Sequence, residues 1–197
     1  VPLVREGAQY TGLELSTKYV KYGNLKFPSP GPIISGDMRN FNFFKKYDFI
    51  FIGFNSFLHL LSEKDVVKCF NSIKKHMHSN TKLYIDIFMP EDSFLKRSSS
   101  SELTVMEFFD SQAHSTSIIK EKIIYDSLNE IASVSWQYLD DKNICYRKFN
   151  FQMKIYYPDT MNRLFVDNGF YVYDLWGSYS KSAIKEASTL QIYEVGI

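Results

Sequence analysis

The sequence predicts an α/β fold: a mostly parallel sheet closed by a C-terminal antiparallel hairpin, with an antiparallel sheet inserted before that hairpin. Three observations predict it. In the first half, short apolar runs alternate with helical patterns, the order expected of a parallel sheet. Across residues 118–157, runs rich in aromatic and β-branched residues follow one another with no helical pattern between them, which reads as antiparallel. Near the end, a helical pattern closed by Asn168-Gly169 leads into two further strand-like runs, 170–176 and 189–195.

Each element has its own signal. Residues 9–15 read as a strand that ends in an acid, Glu14, and Ser16 offers an N-cap for a short helix through about Tyr22. Residues 27–31 form a Pro/Ser/Gly loop, and Ile33 and Ile34 make a short strand ending at Gly36-Asp37. The run 47–54 is apolar almost throughout and is expected to be buried on both faces. Ser62, with Asp65 three residues on, caps a helix to about His76 whose inner stripe is Val66, Val67, Phe70 and Ile73. Residues 81–88 are a second buried strand, ended by Pro90, and the serine run 98–101 is a loop. Three strand-like runs follow, 118–125, 132–139 and 144–156, the last two joined by the turn Asp140-Asp141-Lys142-Asn143. Pro158 then stands near N1 of a helix closed by Gly169 at C′.

Composition narrows the function classes. A chain of 197 residues, 45% apolar, favours one domain with one sizeable core. Its longest apolar run, 49–54, is far too short to span a bilayer, so no membrane association is expected. A net charge of +1 with interspersed signs fits an ordinary solvated surface better than a nucleic-acid face. Cys69 and Cys145 are far apart and form no CxxC pair, which fits a reducing, cytoplasmic setting. His76 and His78 read as a surface helix terminus, where a cation meets the negative end of the dipole, and no metal site is expected. Ser56 and His59 lack the GxSxG elbow of a hydrolase triad.

Two acids carry chemistry. In Gly12-Leu13-Glu14-Leu15-Ser16, one carboxylate at a strand end can accept from both hydroxyls of a vicinal diol, or it is simply a solvated acid beside a helix N-terminus. In Ser35-Gly36-Asp37-Met38-Arg39, Asp37 can accept from an exocyclic amine and Met38 can pack on a ring, or Asp37 is a turn residue. The run 47–60 then carries Phe54, Asn55 and His59; a helix ending Lys74-Lys75-His76-Met77, the strand 82–88 and Asn168-Gly169-Phe170 complete the order. In this order and spacing, over nearly the whole chain, the segments resemble the class I S-adenosylmethionine-dependent methyltransferases. The stretch 118–157 resembles the inserted sheet of small-molecule members, including sugar N-methyltransferases.

That resemblance implies a Rossmann-like methyltransferase sheet, S-adenosyl-L-methionine as cofactor, and a small-molecule methyl acceptor reacting at N or O. It assigns the ribose hydroxyls to Glu14, beside Leu15, the adenine to Asp37 and Met38, and the cofactor-facing edge to Phe54. Asn55, Tyr157 and Tyr179 fall on the acceptor side. His59 becomes a candidate general base, since imidazole suits proton transfer near neutrality; the alternative is that it packs or caps before Ser62. The inserted sheet would cover the acceptor pocket or form an interface with a second copy, and Trp136, Tyr138, Tyr146 and Tyr156 would line that pocket or pack between sheets. One departure is large: nothing matches the family's glycine-rich cofactor turn. Residues 1–7 resemble the end of the helix after it, so an N-terminal segment is expected to precede them, and the strand at 9–14 is not expected to neighbour the one at 49–54. Three rivals remain. A catalytically silent methyltransferase-like binding module is favoured by the missing turn and opposed by Glu14 and Asp37. An NAD-dependent dehydrogenase would not need the closing hairpin, and an RNA methyltransferase is opposed by the balanced charge.

Overall fold

The computed structural model describes residues 7–27, 32–98, 100–110 and 114–197. Residues 1–6 of the expected helix end, 28–31 of the Pro/Ser/Gly loop and Ser99 of the serine run lie outside the described residues. In chain order the elements are β1 (Gly12–Glu14), α1 (Thr17–Lys26), β2 (Ile33–Ser35), β3 (Phe49–Ile52), a 3-10 turn (Ser56–His59) and α2 (Glu63–Lys74). They continue with β4 (Lys82–Phe88), α3 (Asp92–Leu95), β5 (Leu103–Asp110), β6 (Ser115–Asp126), β7 (Ile131–Leu139), β8 (Cys145–Lys154), α4 (Pro158–Asp167), β9 (Tyr171–Trp176) and β10 (Leu190–Gly196). Among the described residues no helix is long and apolar enough to cross a membrane.

The strands form three sheets: β1-β2, β3-β4-β10-β9 and β5-β6-β7-β8. Only β1 with β2 and β3 with β4 pair in parallel; every other pairing among the described residues is antiparallel. The expectation of a mostly parallel sheet is therefore corrected. The inserted sheet has four long strands, and β10 runs antiparallel to both its neighbours, which outweighs the two short parallel pairs. Strands β1 and β3 belong to separate sheets and are not paired with each other.

Local chemistry explains the helices. Ser62 Oγ accepts from the Asp65 amide, and Glu63 and Asp65 place negative charge at the positive end of α2. Pro158 starts α4, and Gly169, at φ +73°, takes the left-handed conformation that ends it. These helices and the β4-β10 pair enclose the main core around Phe57, Phe70, Leu83, Ile85, Phe165 and Tyr193. Each such side chain contributes about 1.5–3 kcal/mol through burial.

Four further expectations need correction. The run 47–54 is not buried on both faces: Ile50 and Ile52 meet the core, while Phe49 and Phe51 are 49% and 64% exposed. Strand β3 ends the four-stranded order, and among the described residues its Ile50-Ile52 face is the one packed against the core. On α2, Val67 is exposed and Cys69 takes its place inside. His76 is not at the surface; it is 1% exposed, because its Nε2 accepts from the Phe43 amide at 2.8 Å and its Nδ1 donates to the Ser72 carbonyl at 2.7 Å. The inserted sheet also begins earlier than residue 118, at β5.

One face of that sheet makes a second core. Ile123, Ala132, Val134 and Ile155 pack with Phe88, Phe94 and Leu95 at the C-terminal end of β4. On the inserted sheet, Glu121 accepts from Arg97 Nη1, in the segment before β5, at 2.8 Å and from Trp136 Nε1, its partner on β7, at 2.9 Å. Tyr156 donates to the Leu60 carbonyl at 2.6 Å, and Gln191 donates to the Tyr156 carbonyl at 2.9 Å. These bonds fix the inserted sheet over one end of the β3-β4 pair.

Candidate active site

The register of the first sheet sets Glu14 opposite Ser35, so the parallel β1-β2 pair brings both C-terminal ends to one edge. Glu14 ends β1, and Asp37 follows β2 by two residues. The Glu14 Oε1 accepts from the Ser16 amide at 2.7 Å, which anchors the carboxylate at the start of α1. Its Oε2 has no protein partner among the described residues. Leu15, just beyond the strand, is 72% exposed.

Asp37 is more heavily engaged. Arg39 Nε lies 3.0 Å from each of its carboxylate oxygens, Nη2 lies 2.6 Å from Oδ2, and the Arg39 amide donates to Oδ1 at 2.9 Å. The Arg39 side chain holds the Asp37 carboxyl below its ordinary range, so it stays an acceptor. Met38 and Phe41 pack their side chains against the main core, and the Arg39 carbonyl accepts from Ser72 on α2. The two-stranded unit is thereby tied to the rest of the molecule. A cleft of about 530 Å³ lies beside it, lined by Leu13, Ile34, Gly36 and Phe43.

The second edge is the C-terminal end of β3 and β4. Phe54 and Asn55 are both left-handed, at φ 54° and 62°. The Phe54 amide donates to Asp86 Oδ1 at 2.6 Å, and Asn55 Oδ1 accepts from the Phe88 amide at 2.7 Å. Tyr179, in the loop after β9, donates to Asp86 Oδ2 at 3.0 Å. Phe54, Asn55 and Tyr179 thus come together around β4.

His59 closes the 3-10 turn that follows. Its Nδ1 lies 3.3 Å from the Gln152 carbonyl oxygen on β8, and its ring meets Phe151 edge-on at 5.9 Å. A carbonyl can only accept, so this contact puts the proton on Nδ1 and leaves Nε2 as an acceptor. Tyr157 stands at the N-terminus of α4, close enough to Tyr125 on β6 that, after desolvation, it helps raise that phenol above its ordinary value. The buried Cys69 thiol is pushed up to about 12 by desolvation and then by the Asp37 charge. No group of three metal-ligating side chains occurs among the described residues.

This layout has structural relatives. The CcbJ methyltransferase from Streptomyces caelestis superposes with a TM-score of 0.84 at 14% identity, over 99% of this chain and 82% of that one. The chain has the fold of the S-adenosylmethionine-dependent methyltransferases. A methyltransferase of that kind from Clostridium acetobutylicum ATCC 824 gives a TM-score of 0.77 at 15% identity, over 96% of this chain and 75% of the other. The glycopeptide N-methyltransferase MtfA, complexed with S-adenosylmethionine, gives 0.62 at 19%, over 100% and 80%. No family model and no curated protein matches the chain by sequence.

On this methyltransferase fold, the sequence reading missed Asp86. A signal was present: it is the single acid in the apolar strand Lys82–Phe88. A charge within such a strand needs partners, and the sequence could not say that Phe54 and Tyr179 supply them.

Proposed function

We propose that the protein transfers a methyl group from S-adenosyl-L-methionine to a nitrogen or oxygen of a small-molecule acceptor. The observation that carries this reading is the parallel β1-β2 pair, which sets Glu14 and Asp37 along one edge of a methyltransferase fold. The donor set fits the cofactor. Glu14 has an Oε2 without a partner among the described residues for a ribose hydroxyl, with Oε1 anchored beside it. Asp37 is an ionised acceptor for the adenine amino group, a role it would share with its bonds to Arg39. Leu15, Met38 and Phe54 supply apolar contact.

When bound, the cofactor supplies an electrophilic methyl group on a sulfonium sulfur. The protein's work is then to align acceptor and methyl and to receive a proton. Asn55, Tyr157 and Tyr179 frame the acceptor side. His59 Nε2 takes the proton that the attacking amine or hydroxyl loses, while the Gln152 carbonyl keeps the ring in the required tautomer. The inserted sheet, packed on Phe88 and Phe94, walls the acceptor side and sets which molecules enter.

Calorimetric titration with S-adenosylmethionine tests the reading directly, followed by a screen of amines and hydroxylated small molecules with methyl-labelled cofactor. Saturable binding and label transfer are expected. Absence of binding would move the protein to the class of silent binding modules, and salt-dependent binding of RNA would point to a nucleic-acid acceptor.

A further inference from the structure

We propose that Asp86 is a positioning residue, which holds the Phe54-Asn55 corner and the Tyr179 loop as one wall of the acceptor site. Its role as an acceptor wall rests on the methyltransferase reading; the coupling itself rests on geometry alone.

Asp86 lies between Ile85 and Ile87, both fully buried, so its backbone is fixed in the middle of the sheet. Each of its oxygens holds a different segment. Oδ1 takes the Phe54 amide, 32 positions away, and Oδ2 takes the Tyr179 hydroxyl, 93 positions away. The corner it holds is costly, because two successive residues with a Cβ adopt left-handed backbone there. Asn55 anchors the same corner through the Phe88 amide, one strand register further along β4.

The loop after β9 organises itself locally. Ser178 Oγ pairs with the hydroxyls of Ser180 and Ser182, and the Gly177 amide donates to the Ser182 carbonyl. Only the Tyr179 phenol reaches from this loop to Asp86 among the described residues. Desolvation, then the Asp86 bond, raises that phenol above its ordinary value, so it remains a donor. The rings so held are not core residues: Phe54 is 91% exposed and Tyr179 is 68% exposed. A carboxylate that fixes the backbone carrying one open ring and the hydroxyl of another sets the spacing of their two segments, and the gap between those segments is what a small molecule must enter.

Amide hydrogen exchange on the full chain, read for Asp86→Ala, Asp86→Asn and Tyr179→Phe, tests the proposal. Asp86→Ala is expected to speed exchange at 53–55 and 177–182 together, by at least about tenfold. Asp86→Asn should stay close to wild type, since its amide can accept from Phe54 and donate to the Tyr179 oxygen. Tyr179→Phe should loosen 177–182 and leave the Phe54 amide protected. With the acceptor that the label screen returns, Asp86→Ala and Tyr179→Phe should raise KM for the acceptor at least about fivefold, with S-adenosylmethionine affinity unchanged in Tyr179→Phe and Asp86→Asn restoring KM. Exchange that changes at one segment alone in Asp86→Ala, or an unchanged acceptor KM in Tyr179→Phe, overturns the proposal. A wild-type chain that binds no S-adenosylmethionine overturns the proposed function instead, and the exchange arms still decide the coupling. Should Asp86→Ala not fold, Tyr179→Phe and Asp86→Asn decide it.

Discussion

His59 Nδ1 meets the Gln152 carbonyl at 3.3 Å, so the side chain that follows β3 takes its orientation from the backbone of the inserted sheet. This contact fixes which nitrogen can act as a base. His59→Ala is expected to lower kcat at least about a hundredfold, with cofactor affinity intact. The measurement is steady-state turnover of wild type and variant with saturating cofactor. Near-normal turnover in the variant would assign His59 to packing against Phe151.

Glu14→Ala should weaken S-adenosylmethionine binding by about 1.5–3 kcal/mol, the scale for hydrogen bonds to a charged group. Calorimetry reads this. The same carboxylate holds the Ser16 amide, so thermal unfolding of the variant should be recorded alongside. Unchanged affinity would reject the ribose role.

The Glu121 carboxylate on β6 joins Arg97, in the segment before β5, to Trp136, its cross-strand partner on β7, with the ion pair only 14–16% exposed at its side chains. Removing one member leaves the others desolvated and unpaired. Glu121→Ala is expected to cost about 3 kcal/mol of stability, measured by urea unfolding. Trp136 fluorescence should change in the folded state of that variant. Replacing Arg97 and Glu121 together by apolar residues should recover part of the loss.

Acid should weaken the molecule in a defined way. Arg39 lowers the Asp37 carboxyl from its ordinary 3.8, and Arg163 lowers Glu63 from 4.5. A depressed folded-state value means the contribution is fully present above the ordinary value and lost as pH falls through the lower one. The stability gap between wild type and Arg39→Ala, read as the urea midpoint, should therefore be constant above about pH 5 and close as pH approaches about 2. Both pairs are substantially exposed, so the gap should be small and should shrink in salt. A gap that widened in acid would contradict the assignment.

Much of the fold was legible because its signals are local. Ser62 before Asp65, Pro158 at the start of α4 and Gly169 at its end each act within a few positions, and each stands where the sequence placed it. What stayed hidden is long-range. Strand β5 was missed because an irregularity between Thr104 and Met106 breaks its alternation and most of its residues face solvent. Phe51 looked buried because an apolar run does not record how many of its faces are covered. His76 looked like a helix end because its partner, Phe43, is 33 positions away. Glu14 and Asp37 could be named from their strand ends, yet the hold of Arg39 on Asp37 required coordinates.

The two cores are populated by different stretches of chain. Among the described residues, β5, β6 and β7 place no side chain in the large core around Phe70 and Tyr193. Strands β6 and β7 supply Ile123, Ala132 and Val134 to the small cluster, which shares Phe88 and Met153 with the large one. Substitutions on these three strands that spare Phe88's neighbours and the Arg97-Glu121-Trp136 contacts therefore leave the packing of the large core untouched. Selection can recut this one appendage repeatedly while the rest of the molecule stays still, and lineages that share the scaffold are free to diverge there first.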